Sequence, residues 1–137
     1  MKMQRPTEDL LGEVTLFRDL SARQRRRIAG LMTRLEEPAG TVLTREGARG
    51  AEFVIVLEGA VEVRRGDAVV KTLGPGDYVG EIALLGRQPR TATVVATTPV
   101  IIEVLDRREF ATLLADNPEL SAELLSTMAE RLAELDA

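Results

Sequence analysis

The segment from Gly80 to Val94 brings a carboxylate, a guanidinium and a hydroxyl together in the sequence GEIALLGRQPRTATV. Residues Glu81–Leu85 are enough for about one helical turn, and the first N–H groups of such a turn attract an anion. Arg90 stands at the start of a predicted strand, where its guanidinium can grip two phosphate oxygens. Thr91 adds a hydroxyl beside it. The segment therefore predicts a phosphate-binding loop.

Glu81 is the informative residue of this loop, because a carboxylate repels a neighbouring phosphate. An ionised carboxylate only accepts hydrogen bonds, and a ribose hydroxyl is a suitable donor. Glu81 and Arg90 together therefore predict a clamp for a sugar phosphate. The alternative is a salt bridge between the two residues across the loop, and composition alone favours that alternative.

The composition excludes most routes to catalysis. The chain has no cysteine and no histidine, so thiol nucleophiles, imidazole bases and His-ligated metal sites are absent. A net charge of −4, with three phenylalanines, one tyrosine and no tryptophan, argues against a nucleic-acid interface. The apolar runs are too short to span a membrane. We expect a cytoplasmic protein that is not an enzyme, with no metal or other cofactor.

Glycines and turns indicate the elements that position the loop. Nine of the eleven glycines lie between Gly40 and Gly86, which is typical of turn-rich β structure. Six to eight short strands at this spacing predict an antiparallel sandwich or jelly roll. The clearest predicted strands are Phe53–Leu57, Val61–Arg64, Val69–Thr72, Thr91–Ala96 and Val100–Leu105.

Helices are predicted before and after the strands. Ser21 begins the first with a capping box, and the apolar spacing continues to Leu35. The arginines at 23 and 25–27 are interpreted as its solvated face. Asp106 caps a second helix that runs towards Asp116, and Asn117-Pro118 starts the last. We expect one domain over 1–137, with helices in 7–37, a β-roll in 38–105 and C-terminal helices in 106–135.

The last predicted helix carries an apolar stripe whose spacing alternates three and four residues. This spacing fits either packing on the sheet or a dimer seam, and it covers too few heptads to separate them. We expect packing on the sheet or a mixed use. The residues are Leu125, Met128, Leu132 and Leu135.

The sequence GEIAL at 80–84, followed by PRTATV at 89–94, closely resembles the phosphate-binding cassette of the cyclic nucleotide-binding domain family. That family includes catabolite-activator-type regulators, regulatory subunits of cyclic-AMP-dependent kinase and cyclic-nucleotide-gated channels. Similar residues extend over roughly 14–135. The resemblance implies an α+β fold, in which an eight-stranded antiparallel jelly roll is flanked by N- and C-terminal helices and carries the cassette at 80–92.

The resemblance also implies a role for each cassette residue. Glu81 would accept a hydrogen bond from the ribose 2′-hydroxyl, Arg90 would pair with the cyclic phosphate, and Thr91 would bind that phosphate or the base. The rest of the implied cradle is Gly80, Ile82, Ala83 and Ala92.

Two positions outside the cassette matter to the same comparison. Arg131 matches the position from which some channel domains cap the purine, and its alternative is a solvated arginine among acids. Ala51 falls where kinase regulatory subunits have an aspartate that orients the phosphate-binding arginine. Arg90 would therefore need another supporting partner, or none.

The leading hypothesis is a non-catalytic sensor for cyclic AMP, with cyclic GMP as the other candidate ligand. Binding would move the helices at 106–135 and so control a partner effector chain. The chain stops at Ala137 without a helix-turn-helix, so we expect a bare sensor or a piece of a larger protein, with no direct nucleic-acid contact. The runner-up is an interaction module with a degenerate pocket, including a homodimer through the last helix. An enzyme ranks third, since cupin chemistry needs histidines.

Overall fold

The computed structural model describes residues 11–49, 52–80 and 89–136, with side chains up to residue 134. These residues form a short 3-10 helix (Thr15–Phe17) and three α-helices: α1 (Ala22–Ala29), α2 (Arg107–Asp116) and α3 (Leu120–Asp136). They also form eight strands: β1 (Thr33–Glu37), β2 (Val42–Thr44), β3 (Glu52–Glu58), β4 (Val61–Arg65), β5 (Ala68–Leu73), β6 (Tyr78–Val79), β7 (Thr93–Ala96) and β8 (Val100–Asp106).

The strands form two four-stranded antiparallel sheets. Their orders are β1-β8-β3-β6 and β2-β7-β4-β5. Strands far apart in the chain lie side by side at the edges, β1 with β8 and β2 with β7. This is the predicted jelly roll with flanking helices, and the α+β fold class is confirmed. The helices in the described residues are too short or too polar to cross a bilayer.

The apolar run in β3 is continuous because this strand is buried on both faces. Val54 and Val56 pack between the two sheets. Phe53, Ile55 and Leu57 face the other way, where the helices cover them. A strand with one solvated face would show alternating polarity instead. The last helix packs on this covered face of the sheet, with Leu124 fully buried in the same cluster.

The first helix begins as predicted and ends earlier. Ser21 and Gln24 form the capping box, in which Oγ of Ser21 accepts a hydrogen bond from the main-chain amide of Gln24 at 3.1 Å. The helix ends at Ala29, followed by Gly30. The prediction of helix over 7–37 is wrong at its end, because residues 33–37 pair with β8 as an edge strand. Leu35 lies opposite Ile102 and is 40% exposed, so its helical spacing was coincidental.

The junction of the last two helices also differs from the prediction. Asp106 and Glu109 form the expected capping box, but α3 begins at Leu120. The Asn117 carbonyl accepts from the Leu120 amide at 3.0 Å in the turn that leads into α3, but the Asn117 side chain does not cap that helix. Its buried side chain donates to the Leu113 carbonyl at the end of α2, and its Oδ1 accepts from Gln24 of α1. The side-chain amide of Asn117 therefore joins the end of α2 to α1.

Candidate functional site

A pocket lies between the jelly roll and α3. Its empty space, about 550 Å³, includes volume that is open to solvent. Most of its wall is apolar, and polar side chains stand at two ends. The apolar residues are Val63, Val70, Leu73, Val79 and Val94, and the polar ones include Arg90, Thr91, Lys71, Arg131 and Glu134.

Arg90 lies in the pocket wall and is held by its main chain and its side chain. Its amide donates to the Ala48 carbonyl and its carbonyl accepts from the Gly47 amide, both at 2.9 Å. Its Nη2 donates to the carbonyl oxygen of Glu52 at 2.7 Å. The residue is only 8% exposed. The expectation that Arg90 opens a surface strand is wrong, since the loop at 47–48 pairs with it and β7 begins later, at Thr93.

Gly80 occupies a position that excludes other residues. Its φ of +105° lies in the region that favours glycine. A Cβ there would collide with the Glu52 carbonyl oxygen and would lie 2.9 Å from Nη1 of Arg90. Gly80, Arg90 and the Glu52 carbonyl therefore form one compact corner at the start of the predicted cassette.

Thr91 and Ala92 also line the pocket, next to Arg90. The carbonyl of Ala92 accepts a hydrogen bond from the buried Thr44 hydroxyl at 3.2 Å. Thr44 is a pocket residue that the sequence reasoning missed. A threonine at the end of a short strand gave no signal by itself, because its partner lies 48 positions later in the chain.

The last helix closes the other end of the pocket. Arg131 lines the pocket, and its Cζ lies 4.9 Å from the centroid of the Tyr78 ring. Lys71 of β5 reaches Glu134 of the same helix, with Nζ 2.9 Å from Oε2. Arg131 is thus placed where a purine cap is needed, and its role there stays a prediction. Lys71 and Glu134 were not predicted, since nothing local in the sequence joins them.

Three of the predicted cradle residues lie outside the described residues: Glu81, Ile82 and Ala83. Ala51 lies outside them as well. The ribose role of Glu81 and its alternative salt bridge to Arg90 therefore stay predictions. The structure brings Gly80, Arg90, Thr91, Ala92 and Arg131 to one pocket. Among the described residues, no three acidic side chains gather as a metal site.

The chain matches the model of a known protein family. The model of the family described as "Cyclic nucleotide-binding domain" matches residues 34–117. A cAMP-dependent protein kinase regulatory subunit from Schizosaccharomyces pombe is 37% identical over 114 residues, which cover 82% of this chain and 28% of that protein. The chain spans less than a third of the length of the curated relatives it matches.

Solved structures with similar folds include a cAMP-bound protein and the regulatory subunit of a cAMP-independent kinase. The chain is similar to cAMP-bound PfPKA-R, with a TM-score of 0.88 and 30% identity, over 94% of this chain and 45% of that one. It is also similar to the regulatory subunit of a cAMP-independent protein kinase A from Trypanosoma brucei, with a TM-score of 0.79 and 30% identity, over 87% and 43%. A variant of that subunit, with glutamate changed to alanine, threonine to arginine and valine to alanine, is bound to cAMP in its A site.

Proposed function

The chain belongs to the cyclic nucleotide-binding domain family, and we propose that its pocket binds cyclic AMP and that binding repositions α2 and α3 to control a partner protein. The domain is a regulatory ligand-binding domain and not an enzyme. A protein kinase is the partner suggested by the similarity to the S. pombe regulatory subunit, and the cytoplasm is the setting that we propose for it.

The observation that carries the proposal is the corner formed by Gly80 and Arg90. A cyclic phosphate carries one negative charge, and a guanidinium offers it two parallel donors in a plane. The guanidinium of Arg90 is fixed by the Glu52 carbonyl, so little side-chain freedom is lost when a ligand binds. The missing side chain at Gly80 lets the Glu52 carbonyl and the Arg90 guanidinium pack against the chain, since a Cβ would collide with both.

The rest of the pocket suits a nucleoside. Val63, Val70 and Leu73 offer an apolar surface to the flat base. Arg131 stands on the helix side of the same pocket, where a guanidinium can stack on a purine. A phosphate clamp at one end and a cationic cap at the other match the two ends of a cyclic nucleotide.

The trypanosome regulatory subunit supports a working pocket over a degenerate one. The variant with cAMP bound has gained two alanines and one arginine, and its first new alanine precedes the arginine by seven residues, as Ala83 precedes Arg90 in this chain. This chain thus carries two of the residue types that accompany cAMP in that variant. It differs at the third position, where Thr91 follows the arginine.

Calorimetric titration tests the ligand. We expect saturable binding of cyclic AMP at one site, with cyclic GMP titrated beside it to fix the preference. The matched control is 5′-AMP, which has the same base and ribose but an open phosphate, and it should bind more weakly. If neither cyclic nucleotide produced heat, the result would contradict this proposal and favour an interaction module with a degenerate pocket.

Helix movement is tested by distance measurements between spin labels. The chain has no cysteine, so introduced cysteines label uniquely. Asp67 and Glu130 are exposed on the β4–β5 turn and on α3, and the pair Asp67→Cys with Glu130→Cys should change its distance distribution with cyclic AMP. The control pair, Asp67→Cys with Thr33→Cys, joins the same turn to strand β1 and should not change its distance distribution. Equal behaviour of both pairs contradicts the switch.

A homodimer through α3 is the second candidate, and one observation favours it. Leu125 is 52% exposed on this helix, whereas its neighbour Leu124 is buried against the sheet. Leu124 thus packs on the sheet while Leu125 is left for a second copy to cover, as a dimer through this helix would require. Sedimentation of the parent and of Leu125→Glu measures the oligomeric state. A parent protein that sediments as a monomer would contradict the homodimer.

A further inference from the structure

Tyr78 contacts α3 on two adjacent turns of the helix. We propose that Tyr78 is a positioning residue for Arg131, whose guanidinium it holds at the pocket so that the group meets the base of the ligand. The inference rests on the proposed function, because it concerns how the same pocket takes its nucleotide.

The geometry at Arg131 is the first step. The Cζ atom lies 4.9 Å from the Tyr78 ring centroid, and the same side chain lines the pocket. A guanidinium is flat and has two faces, and a cation over an aromatic face is attracted by the electrons of the ring. A guanidinium that is held beside the ring and also lines the pocket is in place to meet a purine there.

Tyr78 is itself held firmly enough to act as a support. It is 5% exposed, and its ring centroid lies 5.3 Å from that of Phe53. Its hydroxyl donates to Oγ1 of Thr127 at 2.9 Å, one helical turn before Arg131 on the same side of α3. An arginine without such a support would lose rotamer freedom when it capped a ligand, and a support in place beforehand removes part of that cost.

The position of Tyr78 in the chain joins the two ends of the site. It lies on β6, opposite Ile55 of β3, and only Val79 separates it from the corner at Gly80. The short strand that leads into the phosphate end of the pocket therefore also supports the cap at the base end. Val79 faces the interior of the sandwich, whereas Tyr78 faces the helices.

A double-mutant cycle on cyclic AMP affinity tests the proposal. Tyr78→Leu and Arg131→Gln should each weaken binding by about three- to tenfold, and the double variant should bind no more weakly than either. Tyr78→Phe keeps the ring and should bind close to the parent. Thermal unfolding without ligand is measured beside each titration, because a merely structural tyrosine would lower stability and weaken binding by the same factor with or without Arg131.

A second measurement covers the case in which Tyr78→Leu does not fold. The chain has a single tyrosine, so ring-labelled tyrosine gives one set of NMR signals. Cyclic AMP should shift these signals in the parent, and Arg131→Gln should largely abolish the shift. Ring signals that ignore the ligand, an unchanged affinity of Arg131→Gln, or additive losses in the cycle would each overturn the proposal. A parent that binds no cyclic nucleotide refutes the proposed function itself.

Discussion

The guanidinium of Arg90 is oriented by a main-chain carbonyl, that of Glu52, at 2.7 Å from Nη2. Sequence comparison with kinase regulatory subunits left Arg90 without its usual aspartate, because Ala51 stands at that position. A carbonyl of β3 supplies an acceptor that no side-chain identity reveals. Because this hydrogen bond is made to the main chain of Glu52, it does not depend on the residue type at that position.

Replacing the side chain of Glu52 tests this independence. The side chain is exposed, and only the carbonyl contacts Arg90, so Glu52→Ala should leave cyclic AMP affinity within about twofold of the parent. Calorimetry measures the affinity, and thermal unfolding checks the fold. A loss of tenfold or more in a folded Glu52→Ala variant would show that the carboxylate, and not the carbonyl, supports the site.

Gly80 and Gly66 form a matched pair for a test of the corner. Both have positive φ, but a Cβ at Gly66 meets nothing within 4 Å, whereas a Cβ at Gly80 meets Glu52 and Arg90. Gly66→Ala should cost about 1–2 kcal/mol of unfolding free energy with unchanged affinity. Gly80→Ala should cost more and should weaken cyclic AMP binding. Denaturant unfolding and calorimetry measure both. Equal effects of the two variants on affinity would argue against the corner.

The Lys71–Glu134 ion pair joins β5 to α3 beside the pocket. Both side chains are partly exposed, so the pair adds little stability, but it restrains the helix. Glu134→Gln should accelerate both association and dissociation of a fluorescent cyclic AMP analogue in stopped-flow measurements. High salt screens such a pair, and it should reduce the difference from the parent.

The control for that experiment is a similar pair within one strand. Arg64 and Glu62 lie 2.7 Å apart on β4, where they connect nothing to α3. Glu62→Gln removes the same charge and should leave both rate constants near those of the parent. If Glu62→Gln and Glu134→Gln change the rates alike, net charge explains the effect and the restraint on α3 does not.

The sequence predicted the features of the fold that depend on residues close together in the chain. The capping boxes at Ser21 and Asp106 depend on residues three positions apart, and both helices begin there. The end of α1 was missed because residues 33–37 gain their hydrogen bonds from β8, far along the chain. Helical spacing up to Leu35 carried no information about that partner.

The candidate site also has a part that the local sequence predicted and a part that depends on tertiary contacts. The types and order of residues between Gly80 and Thr91 predicted a phosphate loop; the structure places Gly80, Arg90 and Thr91 at one pocket, and their contact with phosphate stays a prediction. The burial of Arg90 and the contact of Arg131 with Tyr78 were not predictable, because each depends on strands or helices brought together only by the tertiary fold. A cation against an aromatic ring has no sequence signature when the two residues lie on separate elements.

The most direct test of the account is the affinity of cyclic AMP for the parent, Arg90→Lys and Arg90→Leu, measured by calorimetry beside unfolding without ligand. Lysine keeps the charge but lacks the planar fork, so Arg90→Lys should bind more weakly than the parent. Arg90→Leu should lose about 100-fold or more in affinity, because the phosphate then lacks its charged hydrogen-bond partner. An Arg90→Leu variant that folds and binds cyclic AMP like the parent would contradict the phosphate clamp.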